Sequence, residues 1–247
     1  MRLKVIACEI VFREVSYLAA RSRNIVDLAF MPKGLHDIET SRMLERIQAE
    51  VDRTDPEIVE AIALAYGLCN NGIVGLEARK VYIVVPRAHD CITFFIGSKE
   101  RYKEYFFAHP GTYFRTTGWS ERKSAAEIEE KIMSQLGLNR TFEEYKQKYG
   151  EGAARYIMEI MGSWKKNYSR LCYIAMDIAE HLRYDEKARG EAQEKGWQFE
   201  HRQGDIGLLQ RLLNGPPWEG QDFLILKPGE TVIATNKDDI IAARAKM

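Results

Sequence analysis

Long apolar runs are missing from this 247-residue chain; none approaches the roughly 18 residues that a membrane-spanning helix requires. Charge of one sign is missing too. Thirty-six Lys and Arg offset 36 Asp and Glu, so no basic field points to nucleic acid and no acidic tail stands out. Cysteine is scarce: Cys8, Cys69, Cys91 and Cys172 are too few for a disulfide framework in a chain this long. No C-x-x-C, G-x-G-x-x-G or G-K-[ST] pattern occurs, which removes the common redox and nucleotide signatures. The opening Met1-Arg-Leu-Lys-Val-Ile-Ala-Cys8 has too short an apolar run for a signal peptide, and Glu9, Arg13 and Glu14 interrupt it. It is expected to be the first strand of a cytoplasmic protein, with no membrane and no nucleic acid as partner.

What is present is an alternation of strand-like and helix-like segments. Leu3–Cys8, Ile25–Met31, Ile58–Ala65 and Lys80–Val85 read as buried strands, with helical spacing over Ile10–Arg21 and Asp37–Val51. Ser98–His109 is rich in Tyr and Phe and reads as a helix packed on the sheet, followed by Thr112–Thr117. Glu121–Gln135, Phe142–Tyr149 and Gly152–Met161 read as charged amphipathic helices. Alternation returns with strands at Tyr168–Met176, Trp197–Arg202 and Phe223–Leu226, and helices at Glu186–Lys195, Ile206–Leu213 and Asp238–Ala245. The predicted class is α/β with a mostly parallel, Rossmann-like sheet. Residues 1–119 form a first lobe, 120–165 a helical segment and 166–247 a second lobe. The two βαβαβ patterns make either two lobes facing a cleft or one long sheet.

The sharpest chemical signal is positional. Cys8, Cys69 and Cys91 each fall just past the C-terminal end of an expected strand, the edge where open α/β sheets bind ligands. Asp90 is a good N-cap and Gly97 a good terminator for a helix starting at Cys91, where the helix dipole would favour thiolate. Three readings stay open. The cysteines are ligands of a metal with a labile fourth position, either zinc or a 4Fe-4S cluster. Alternatively, Cys91 is a reactive thiol with His89 or Asp90 as proton carrier. Or all three are buried structural residues, as free cysteine often is.

Weaker candidates surround them. Asn70-Asn71-Gly72-Ile-Val-Gly75 loosely suggests a phosphate-cradling turn through Asn70 and Gly72, and Arg87 suits an anionic group or a surface ion pair. Asp205, after Gly204, reads as a helix cap that would face the crevice if a second lobe closed over the first. Tyr113 and Trp119 read as aromatic core more readily than as pocket lining. Cys172 reads as a core residue early in its strand.

Ala7-Cys8-Glu9, Tyr66-Gly-Leu-Cys69 with Gly72, and His89-Asp90-Cys91 with Gly97 resemble an uncharacterised domain family of unknown function. Pro110-Gly-Thr-Tyr113, Gly118-Trp119, Gly204-Asp205 and the stretch from Trp218 to Gly229 extend the resemblance over nearly the whole chain. Members of that family occur in anaerobic archaea and bacteria, often encoded near corrinoid-dependent methyltransferases. His89 is not general among them. The resemblance implies a metal or iron–sulfur site on the three cysteines, acting on a small molecule in one-carbon or corrinoid methyl metabolism. The alternative it implies is a non-catalytic accessory or binding protein for a corrinoid methyltransferase system.

Overall fold

The protein is described here by a computed structural model covering residues 1–33, 40–69, 71–122, 143, 146–147, 150–155 and 168–245. Its central element is a five-stranded sheet of order β2-β1-β3-β4-β8, where β1 is Arg2–Cys8, β2 Ile25–Met31, β3 Ala61–Ala65, β4 Tyr82–Pro86 and β8 Phe223–Leu226. The first four strands are parallel, and β8 joins β4 antiparallel. The apolar runs explain the middle of the sheet. Ala-Ile-Ala-Leu-Ala in β3 is buried throughout, as is the Val-Ile-Ala-Cys end of β1, the pattern of parallel strands covered on both faces. Helices α1 (Phe12–Arg21), α2 (Thr40–Asp52), α3 (Ile92–Ile96) and α4 (Lys99–Ala108) link this half.

A second, parallel sheet of order β5-β6-β7 pairs Thr112–Thr116, Arg170–Ala175 and Gln198–Gln203, with α5 (Thr117–Glu121) directly after β5. Helix α6 (Tyr184–Glu194) packs on β6 and β7, and α7 (Gly207–Asn214) returns the chain to the first sheet beside α1. The 1–119 span therefore lends β5 to the second sheet, and the 166–247 span returns β8 to the first. Among the described residues no helix is long and apolar enough to cross a membrane.

The mixed α/β architecture with its mostly parallel sheet is as the sequence predicts, and β2 and β8 fall on the expected residues. The strand expected from Ile58 begins only at Ala61, after a turn in which Asp55 accepts from the Ile58 and Val59 amides. The terminal helix expected over Asp238–Ala245 is instead strand β10 (Ile241–Ala245), a hairpin partner of β9 (Glu230–Ala234). Alanine favours helix, but Ile241 is fully buried and Ile241–Ala245 pairs antiparallel with β9 along its length, so tertiary pairing outweighs propensity. Of the expected helices between 121 and 161, residues 151–155 are helical and most of the rest lies outside the described residues.

Candidate functional site

The strand order reverses between β1 and β3, because β1 leads outward to β2 while the next strand, β3, pairs on the opposite side. Crevices in open α/β sheets form beyond such a reversal. Here the loops after β3 and β4 are stitched together. The Leu68 amide donates to the Ala88 carbonyl and the Cys69 amide to that of His89, each at 2.8 Å. Gly67 allows this closeness: a Cβ there would lie 2.7 Å from the Asp90 Cα.

Helix α5 roofs the end of β1. Gly118 lies so tightly on the turn after β1 that a Cβ would fall 1.7 Å from the Ile10 carbonyl oxygen. The Trp119 ring then stacks on the buried Lys33 ammonium at 4.4 Å. Glu9 completes the corner, accepting from the Lys33 amide at 2.6 Å and facing Arg122 at 3.6 Å. With the β1 end covered, the opening lies on the β4 side.

There the structure forms a cavity of about 480 Å³ bounded by Asp90, Cys91 and Ile92, by Tyr102 and Phe106 of α4, by Gly111–Arg115, and by Trp119 and Tyr168. That size is ordinary for a small-molecule pocket. Asp90 is its carboxylate. One oxygen accepts from the Ile92 amide and the other from the Tyr102 hydroxyl, both at 2.9 Å. Burial nevertheless raises the Asp90 pKa above the usual carboxylate range, against those two bonds. Tyr102 is pushed up in turn, by burial and by the adjoining carboxylate. Arg115 lies across the cavity, stacked on Tyr113 at 4.7 Å and donating through Nε and Nη2 to the Glu191 carboxylate at 2.8 Å each.

The thiols do not form the expected metal site. Among the described residues, no group of three Cys, His, Asp or Glu side chains is arranged to hold a metal ion, so neither zinc nor a 4Fe-4S cluster on Cys8, Cys69 and Cys91 is supported as the basis of function. Each sulfur has partners of its own. Cys8 shares a hydrogen bond with Tyr66, Cys69 accepts from the Gly67 and Cys91 amides, and Cys91 meets the Trp119 side chain. Cys69 is also turned by a left-handed backbone, φ 45°.

The thiolate expected at Cys91 is overturned as well. Cys91 caps only the five-residue α3 and is 5% exposed. Burial pushes its pKa well above 9.0, and negative charge on Asp90, Cys69 or Cys8 would push it further. Burial likewise raises Cys8 to about 11 and raises Cys69. Desolvation outweighs the dipole of so short a helix. With all four thiols protonated, iodoacetamide at pH 7.5 is expected to modify the native protein at least about 100-fold more slowly than the denatured chain. Peptide mass spectrometry reads this directly; a native cysteine alkylated at the denatured rate would contradict it.

The remaining candidates divide. Asp90 and Cys91 line the cavity, whereas His89 is exposed and meets the site through its backbone carbonyl. Arg87 is consumed as a staple, donating to the carbonyls of Gly220 at 2.7 Å, Asp239 at 2.9 Å and Ile241 at 2.5 Å. Asp205 caps α7 through the Gly207 amide at 2.7 Å and pairs with Arg101 at 2.5 Å. Gly72 packs on Met43 of α2, its absent Cβ 2.4 Å from the sulfur, and Asn70 lies outside the described residues. Cys172 is fully buried, as expected. Tyr113 and Trp119, expected as aromatic core rather than pocket lining, instead line the cavity, as do Tyr102, Phe106, Phe114, Arg115 and Tyr168, which sequence reasoning did not assign to a pocket. The signal for them was the aromatic density between Ser98 and Trp119.

One family model, described as a protein of unknown function (DUF1638), matches residues 30–213. No curated protein and no solved structure matches the chain significantly.

Proposed function

We propose that this chain, which belongs to the DUF1638 family of proteins of unknown function, binds a small organic molecule in the aromatic cavity beside the end of β4, with Asp90 as its polar anchor. The observation that carries this reading is the composition of the cavity wall. Six aromatic side chains, from Tyr102, Phe106, Tyr113, Phe114, Trp119 and Tyr168, surround a single carboxylate. Apolar walls with few, well-placed polar groups are the usual make-up of a ligand site. The elements that shape it are held rigidly. Ser98 caps α4 through the Arg101 amide at 3.1 Å, and β5 is in register with β6 along its length. The three protonated thiols support binding over covalent chemistry, because a thiol is a weak nucleophile until ionised.

The neutral fluorescent probe N-phenyl-1-naphthylamine tests the reading. It is expected to bind the native protein saturably, one molecule per chain. Thr112→Trp adds an indole to the cavity wall and is expected to weaken that binding at least about tenfold, by occupying the space the probe needs. Circular dichroism of the variant controls for folding. No saturable signal with the native protein, or equal binding by a folded Thr112→Trp variant, would overturn the assignment.

A further inference from the structure

The charges around the cavity are unequal in availability. Arg115 is cationic, but two of its donors are already committed to Glu191 and its plane rests on Tyr113. Lys195 adds a second cation to the same Glu191. An anionic ligand would have to compete with that carboxylate for Arg115. Asp90 differs: its oxygens accept from the Tyr102 hydroxyl and from backbone amides, all neutral, and the exposed His89 imidazole is a basic side chain felt at it. Among the described residues no Lys or Arg forms an ion pair with Asp90. The cavity thus contains a carboxylate whose charge is unmatched by a neighbouring cation.

Six of the residues that line the cavity with Asp90 are aromatic. Tyr102 and Phe114 pack edge to face, with centroids 5.9 Å apart, and Tyr113 and Tyr168 do so at 5.4 Å. Ring faces carry negative potential and attract cations, most strongly where water is excluded. A bare ammonium needs several hydrogen-bond acceptors, and Asp90 offers only the lone pairs left after it accepts from Ile92 and Tyr102. An ammonium clothed in alkyl groups needs none: it offers apolar surface to the rings and diffuse positive charge to the carboxylate. We infer that the ligand of this cavity is an alkylated ammonium compound, held between Asp90 and the aromatic walls. This inference rests on the small-molecule binding proposed above.

Choline and its neutral carbon isostere, 3,3-dimethylbutan-1-ol, separate charge from shape. Isothermal titration is expected to show choline binding at least about tenfold more tightly than the isostere, the scale of a desolvated cation–π and carboxylate contact. In Asp90→Asn the preference is expected to vanish, while the isosteric amide keeps an oxygen for the Ile92 N–H and circular dichroism reports whether the fold is retained. Equal affinity for the two probes, or an unchanged preference in Asp90→Asn, would overturn the cationic ligand and leave the cavity as a binding site. So would failure of both to bind when the naphthylamine does. Failure of the naphthylamine as well would overturn the cavity itself.

Discussion

Gly118→Ala is expected to cost at least about 3 kcal/mol of unfolding free energy, at the upper end of what overpacking does. The methyl group would enter the space of the Ile10 carbonyl, 1.7 Å from its oxygen. Helix α5 has nowhere to retreat. Thr117 is buried with its hydroxyl 3.2 Å from that of Tyr173 on β6, and Glu121 forms a two-pronged ion pair with Arg13 of α1, with Nε–O distances of 2.7 and 2.8 Å. The clash therefore has to be relieved by lifting α5 off the end of β1 or by moving α1, and either breaks packing around Trp119. Gly190 is the internal control, because a Cβ there meets nothing within 4 Å. On an α6 surface, Gly190→Ala is expected to be neutral or stabilising by up to about 1 kcal/mol. Urea unfolding of both variants checks the pair. A Gly118→Ala midpoint equal to the native one would show that α5 is not clamped as described.

The second large effect is set by Glu14. This α1 residue is 1% exposed, and neither carboxylate oxygen has a hydrogen-bond partner among the described residues. Burial raises its pKa from 4.5 to about 7; Glu121 adds to the rise and Arg13 offsets part of it. Below pH 4.5 the carboxyl is protonated in both the folded and the unfolded chain. Between pH 4.5 and about 7 only the unfolded chain releases the proton, so the folded state loses stability as pH rises. Above pH 7 both are ionised and the loss is complete, on the order of 3 kcal/mol. Glu14→Gln is expected to abolish that loss, so stability changes less between pH 4.5 and 8 than in the native protein. The comparison is the unfolding free energy at the two ends of the range. Identical pH profiles for variant and native protein would place the dependence elsewhere.

Much of the sheet was legible because β3 is apolar throughout and β1 is apolar from Val5 to its end. Ile25–Met31 and Phe223–Leu226 are bounded by turn residues, so even their limits could be read. The partners of those strands were not legible. Nothing local in Thr112–Thr116 or Phe223–Leu226 records that the first joins the second sheet and the latter pairs antiparallel with β4. Strand β10 was misread for a related reason: its alanines are helix formers, and only the β9 edge makes them a strand.

The site was legible as a place and illegible as chemistry. Cys8, Cys69 and Cys91 do lie past strand ends, but the pattern could not reveal that each sulfur is buried against a different partner. Asp90 was expected as the N-cap of a helix from Cys91, but the helix starts at Ile92 with Cys91 as its cap, and Asp90, one residue earlier, accepts from the Ile92 amide. The aromatic side chains around it look in sequence like any core segment, because a ring that lines a cavity and a ring that fills one have the same hydrophobic pattern.

The placement of β8 also bears on how the molecule is made. Strands β1 to β4 have been synthesised by Pro86, yet the strand that covers the bare side of β4 spans Phe223–Leu226. At ordinary elongation rates that interval lasts on the order of ten seconds. Throughout it, β4 presents unpaired backbone groups, the kind of edge that recruits strands from other nascent chains. Every residue that lines the cavity has been translated by Tyr168. The pocket's walls thus exist before the sheet beside them is complete, and a pause in translation between Tyr168 and Phe223 would hold the chain at its most adhesive stage.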